Sequence, residues 1–334
     1  MERIAMETEE DYQKLIKLLE SFNVEIVRTE INEDFSQYFV PDLGKYLPPP
    51  MTPRDYTAMI GDIFYMPSDN LTNRYDILKG SDWPSQCPAN QEEFDNLPEF
   101  VKQELKDFNA GHDSMRSILE KQGNKIIYDK DINSATTTRI GKDLYFGTHT
   151  YDQDQNELKT RVEKLFPDYR CHVVNTGGHS DGTFCPVKPG LIVSLRDIPT
   201  YATTFPDWEV VYLPGQSWTA VGSFLKLKEK NRGKWWVPGE ELNDDFTDFV
   251  ETWLGHWVGY VEETVFDVNM LVIDEKNVVC NNYNEKVFAA FDRHGITPHV
   301  VNFRHRYFWD GGLHCITSDL HREGVRKDYF PERG

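Results

Sequence analysis

No stretch of this chain is apolar for long enough to span a bilayer, which excludes a membrane-spanning helix. The first residues, MERIAMETEEDYQKL, are acidic and lack the apolar centre of a signal peptide. Cysteine is scarce: Cys87, Cys171, Cys185, Cys280 and Cys315 are odd in number and form no CxxC pair. Neither a disulfide framework nor a structural zinc site is expected from them, and a reducing, cytoplasmic setting fits. Basic residues are outnumbered, with 36 Lys and Arg against 55 Asp and Glu and a net charge of −19. A surface of that sign repels nucleic acid and anionic membrane, so neither is an expected partner. It would draw in a cationic substrate, although plain solvation is the commoner reason for such charge.

What is present suffices for a large core. The 334 residues are 39% apolar and 13% aromatic, enough for one large domain or two small ones. One pattern recurs: a helix-like stretch, a short turn, then a β-branched run. It appears as KLIKLLESF–NVEIVRT, ELKTRVEKLF–PDYRCHVVNT and EKVFAAFDRHG–ITPHVVNF. The first helix carries its apolar residues at Tyr12, Leu15, Ile16 and Leu19, a 3.6-residue stripe. A fragment repeats, Phe166-Pro167-Asp168-Tyr169 and Phe205-Pro206-Asp207-Trp208, each leading into a strand-like run. Four segments read as hairpins with tight polar or glycine turns: TAMIGDIFYM, TTTRIGKDLYF, TFCPVKPGLIVSL and NMLVIDEKNVVC. Together these predict an α/β chain of strand–strand–helix–strand modules, four or more, packed around a shared centre. Residues of about 80–120 read as a helical insertion, and about 214–250, with Trp218, Trp235 and Trp236, as a long loop or lid. Leu47-Pro48-Pro49-Pro50 reads as an extended connector, so residues 1–334 are expected to form a single domain.

Polar groups recur at one place in these modules. Asp55 precedes the first hairpin, Asn133 the second, and His179 with Asp181 the third. In a pseudo-symmetric ring those positions face one axis, where GGLHCITSDLHREG would add Cys315. Such a set suits a guanidinium. Carboxylates can grip its N–H forks, a thiolate can attack its central carbon, and a histidine can move the protons. Gly311 and Gly312 would let the backbone approach closely beside the thiol. Taken singly, each residue also has a bland reading. Cys315 could fill core, the 179/181 pair could be a satisfied core pair or half a metal site, and Asp55 could be a helix cap.

The order Asp…His-x-Asp…Gly-Gly-x-His-Cys resembles the glycine amidinotransferase family. HSDGTFCPVKPGLIVS is similar to that family's segment with the catalytic His and its Asp. MLVIDEKNVVC, EKVFAAFDRHGIT and GGLHCITSDLHREG resemble its carboxy-terminal third, and MTPRD its Pro-Arg-Asp motif. The resemblance runs from about residue 10 to 324. It implies the pentein α/β-propeller, five pseudo-symmetric ββαβ modules, with a covalent amidino–Cys intermediate and no metal or cofactor. Carried across, Cys315 is the nucleophile and His179 the general acid/base. Asp55 and Asp181 bind the guanidinium. Arg196 lies two residues out of register with a substrate-carboxylate arginine of the family.

Three departures stand out. Asn133 falls where the family has an Asp, with Asp131 near enough to substitute. Glu262 and Glu263 fall where it has paired serines. The first strand of its first module is missing, so the ring is expected to close differently. The expected activity is amidino transfer from a small guanidino donor, arginine, to an amine acceptor. A guanidino hydrolase, a deiminase or dihydrolase, is the alternative, and a non-catalytic binding protein of this fold the second. A homo-oligomer is compatible with either.

Overall fold

The computed structural model describes residues 1–28, 39–40, 45–46, 52–66, 81–107, 117–129, 132–195, 197–213, 237, 239–240, 242–254, 268–309, 311–324 and 326–334. Helix α1 (Glu2–Ser21) comes first. Four three-stranded sheets follow among the described residues. They contain β1 (Ala58–Ile60), β2 (Ile63–Tyr65) and β3 (Lys125–Ile127), then β4 (Thr137–Ile140), β5 (Asp143–Gly147) and β6 (Arg170–Val174). Next come β7 (Phe184–Lys188), β8 (Leu191–Ser194) and β9 (Glu209–Tyr212), then β10 (Leu271–Val272), β11 (Asn277–Cys280) and β12 (Thr297–Val300). Each sheet repeats one arrangement. An antiparallel hairpin comes first, and its second strand pairs in parallel with the strand after the crossover.

The local chemistry explains why these segments turn where they do. Three hairpins reverse at a glycine with positive φ, Gly61, Gly141 and Gly190, where a side chain would be strained. The fourth uses a carboxylate instead: Asp274 Oδ1 accepts the Lys276 N–H at 2.7 Å. Crossover helices α2 (Gln155–Leu165) and α4 (Glu285–Arg293) start on side-chain caps, Asp154 and Asn284. Between them, α3 (Asp244–Trp253) starts on Asn243, with Asp244 and Asp245 in its first turn. The end of the expected loop is therefore helical, while Trp218, Trp235 and Trp236 lie outside the described residues. The repeated Phe-Pro-Asp fragments are tight turns. Phe166 and Phe205 are buried, and Tyr169 and Trp208 donate their N–H groups to the carbonyls of those phenylalanines.

The four hairpins expected from the sequence form, in the pentein arrangement. Neighbouring modules share their cores. Ala58, Tyr65, Leu144 and Val162 join the first two, and Tyr145, Val174, Phe184 and Ile192 join the second and third. Val193, Val211, Val278 and Phe291 join the third and fourth. The first strand of every hairpin lines a common central cavity.

The ring closes through the two ends of the chain. Leu15 and Leu19 of α1 pack with Val279, Phe303 and Leu313. Val24–Arg28, expected as a strand, forms no ladder with any described residue, although Ile26 joins that cluster. Polar ties reinforce the contact. Arg304 donates from Nε to Asp11 Oδ2 at 3.0 Å and from Nη2 to Glu10 at 2.7 Å. Asp11 is fully buried; burial would raise its carboxyl, but the bonds from Arg304 and Lys14 hold it below the usual range. No helix among the described residues is long and apolar enough to cross a membrane. Arg304→Met should cost roughly 3 kcal/mol in urea unfolding, because it leaves a buried carboxylate poorly paired. A loss too small to resolve would show that α1 is held by its apolar stripe alone.

Candidate active site

The loops that enter the first strand of each hairpin meet at one end of the central cavity. They are stitched to one another by backbone hydrogen bonds. Ser134 N–H donates to Thr57 O at 2.9 Å, and Ser180 N–H to Ala135 O at 2.7 Å. The carboxy-terminal loop completes the set, with Arg54 N–H donating to Cys315 O at 3.3 Å. Residues distant in sequence thus share one small volume.

Cys315 is fully buried there. One acceptor or donor oxygen or sulfur each from Asp55, Asp181 and Cys315 lies within 4.8 Å of the others. Two carboxylates and a sulfur can hold a cation, either a metal ion or a planar guanidinium. Asp181 is the hub. Its Oδ2 accepts from His314 Nδ1 at 2.7 Å and lies 3.5 Å from Cys315 Sγ. Its Oδ1 is buried and accepts from no described group. Such an atom costs stability unless a ligand or solvent donor fills the gap.

Burial alone would raise the Asp181 carboxyl. The hydrogen bond from His314, with His179 and Arg54 beyond, outweighs it and holds the group below its ordinary value. His314 is pushed down by burial and by Arg54, against the pull of Asp181. A neutral imidazole beside an ionised carboxylate carries its proton on Nδ1, since the carboxylate can only accept.

Cys315 has a donor of its own. Asn269 Nδ2 points at Sγ from 3.1 Å, while Asn269 Oδ1 accepts the N–H groups of His314 at 2.9 Å and Cys315 at 3.4 Å. One amide thereby fixes both the thiol and its backbone. This explains the glycine pair. A Cβ on Gly312 would stand 2.3 Å from Asn269 Oδ1, and one on Gly311 2.8 Å from Thr52 Cγ2. Close approach, not a left-handed φ, requires glycine here.

Of the residues singled out in the sequence, Asp55, Asp181 and Cys315 come together. His179 is half-buried and near enough to Asp181 to act on its charge. Asn133 is buried, and its Oδ1 accepts from Thr136 N–H at 2.8 Å and Thr136 Oγ1 at 2.9 Å, closing a turn. Arg196, Glu262 and Glu263 lie outside the described residues, as does Asp131. Cys171, Cys185 and Cys280 are core residues, and burial pushes the thiols of Cys171 and Cys185 up to about 12. Three residues were missed: Asn269, His314 and Arg54. Asn269 precedes the fourth hairpin as Asp55, Asn133 and Asp181 precede theirs, so the module register pointed to it.

The electrostatics set a pH dependence. The folded Asp181 carboxyl titrates below its unfolded value. Its stabilisation is therefore present above the unfolded value and lost as pH falls through the folded one. The stability gap between wild type and Asp181→Asn should narrow as pH falls below about 4 in urea titrations. A gap that widens there would mean a raised carboxyl.

No protein-family model matches the chain. Its sequence is 25% identical over 207 residues to the mitochondrial glycine amidinotransferase of Xenopus tropicalis, a match covering 61% of this chain and 41% of that protein. It is 21% identical over 208 residues to the L-arginine:L-lysine amidinotransferase of Pseudomonas savastanoi pv. phaseolicola, covering 61% and 48%. The matches thus span less than half the length of these curated relatives. Among solved structures, the SxtG amidinotransferase of Microseira wollei superposes with a TM-score of 0.60 at 15% identity, covering 98% of this chain and 87% of that one. The inosamine-phosphate amidinotransferase of Streptomyces griseus gives 0.59 at 15% identity, covering 97% and 82%. The chain therefore has the pentein fold, and its relatives in sequence are amidinotransferases.

Proposed function

We propose that this chain is an amidinotransferase that moves an amidino group from L-arginine to an amine through a covalent adduct on Cys315. The observation that carries the reading is Asp181. Its carboxylate is held ionised and buried, with one oxygen accepting from no described group, beside Asp55 and 3.5 Å from the Cys315 sulfur. A guanidinium supplies what that oxygen lacks, an N–H donor and a positive charge. The names of the sequence relatives support transfer, and one of them supports arginine as donor.

In this reading Asp55 and Asp181 grip the guanidinium and hold its central carbon against Sγ. Two carboxylates this close oppose a negative sulfur, so the thiolate forms once the cation lies between them. Asn269 then stabilises the anionic sulfur through its 3.1 Å hydrogen bond. His179 takes the thiol proton. Sγ attacks the central carbon, and the bond from that carbon to the ornithine nitrogen breaks as His179 returns the proton to it. An amine then attacks the adduct, loses its proton to His179, and Cys315 leaves as thiolate. Arg196 receives the donor's carboxylate. The oxygen of Asn133 is already engaged with Thr136, so only its amide is left for substrate. Glu262 and Glu263 favour a cationic acceptor.

Incubation with L-arginine, with and without a panel of amines, tests this directly. Ornithine should appear only with an amine, together with a new guanidino product, and Cys315→Ala should abolish it without unfolding the protein. Steady citrulline or ammonia without an amine would assign a hydrolase instead. His179→Asn should lower turnover by about 100-fold or more at unchanged melting temperature. A matching fall in stability would mean that His179 only packs. Dialysis against EDTA should leave turnover intact, whereas a loss restored by a divalent ion would assign the Asp55–Asp181–Cys315 trio to a metal.

A further inference from the structure

Behind the nucleophile the central cavity continues along the first strands of the hairpins to their turns, with a volume of about 600 Å³. Cys315 and Asp55 do not line it, whereas Arg54, Arg139, Arg322 and Asp319 do. Over the whole lining five positive charges meet five negative ones, but where the three arginines lie the basic groups lead. Three guanidiniums face a single carboxylate, Asp319. Arg54 Nη2 lies 3.4 Å from it and Arg322 Nη1 3.7 Å. Asp181 and the neutral His314 border the inner end, and counting Asp181 still leaves one positive charge in excess. The charges at the outer end are engaged elsewhere. Lys327 pairs with Glu275 at 3.0 Å, Lys188 donates to His294 O at 2.8 Å, and Asp274 accepts from the hairpin turn. Glu323 is exposed there.

Arg139 is the least satisfied of the three. Among the described residues it makes one hydrogen bond, from Nη1 to Met59 O at 2.9 Å, leaving Nε and Nη2 without a protein acceptor. Burial works against its charge, as do Arg322 and Arg54, and Asp319 only partly offsets them. Asp319 shows the complementary effect. Burial would raise its carboxyl, but Arg54, Arg322 and Arg139 together hold it far below the usual range. Arg139, with two open nitrogens, stands in the cavity beside Arg322, whose Nη2 already donates to the carbonyls of Val272 and Ile273, and an anion with several acceptor oxygens would complete the pair.

We infer that this cavity is a binding site for a small oxyanion of the phosphate class, held by Arg139 and Arg322 with Arg54 at its inner end. It adjoins the catalytic pocket, sharing Asp181 and His314 at its inner end, and does not rest on the reaction proposed above. Free phosphate and the head of a phosphomonoester share the required chemistry, and the cavity has room for either. Calorimetric titration at constant ionic strength with inorganic phosphate, and separately with glycerol 3-phosphate, identifies the source. Saturable binding of one equivalent is expected, weakened about tenfold or more in Arg139→Gln. Crystals soaked in tungstate should show anomalous density between Arg139 and Arg322. Should Arg139→Gln fail to fold, Arg322→Gln takes its place in the same titration. Absence of saturable binding for both ligands, an affinity unchanged by the substitution, or tungstate found only elsewhere would overturn the inference.

Discussion

Arg54 ties the first module to the loop that carries Cys315, and the candidate site is held together there. The residue is 4% exposed, and a guanidinium so buried is tolerated only when its donors are occupied. Nε donates to the carbonyls of His314 and Thr317, both at 2.7 Å, and the Nη groups reach Asp319. Its own N–H holds the carbonyl of Cys315. Two of those acceptors flank the thiol directly. The loop that carries the nucleophile therefore takes its shape from a residue of the first module, some 260 positions earlier in the chain.

Asn269 complements this from the other side. Arg54 collects carbonyls of the loop, and Asn269 Oδ1 collects its N–H groups. Gly312 lets Asn269 approach as closely as those bonds demand, and Gly311 leaves room for Thr52 beside it. The nucleophile loop has a turn of its own, and the long-range polar contacts fix where that turn sits. Precise placement of a thiol needs such a frame, because a short loop alone leaves several backbone conformations open.

The legible parts of the fold were those specified locally. Each hairpin announces itself through a two- to four-residue turn with glycine or aspartate and apolar flanks, and α1, α2 and α4 through their apolar stripes. Asp55 and Asp181 could be grouped because they recur at equivalent module positions, and Cys315 joined them through the Gly-Gly-x-His-Cys ending, before any distance was known. His314 and Arg54 could not be read the same way. Their roles depend on partners 133 and 260 residues away, and nothing in HC or PRD says which carbonyl or carboxylate will be opposite. Asn269 lies between these cases. It obeys the module register, yet an asparagine in VNM carries no chemistry of its own until a sulfur is set against it. Asn133 shows the opposite effect, since its position fits the register but its oxygen is spent on Thr136.

The charges along the central axis alternate, and the order has a consequence for Asp181. The acidic pair faces the catalytic pocket. Next come the Cys315 loop and neutral His314, then Arg54, then Asp319 flanked by Arg139 and Arg322. A carboxylate buried this far would ordinarily take up a proton, because burial disfavours its charge. Arg54, one layer behind, contributes to keeping Asp181 ionised, and the same residue contributes to keeping His314 neutral. Both effects serve the front of the site: an ionised acceptor for a cation, and an imidazole that donates to it without cancelling its charge. Arg54 is in turn balanced by Asp319, which the two other guanidiniums hold ionised. The state of the carboxylate beside the thiol is therefore set first by His314, which donates to it, with a smaller contribution from Arg54 behind the Cys315 loop.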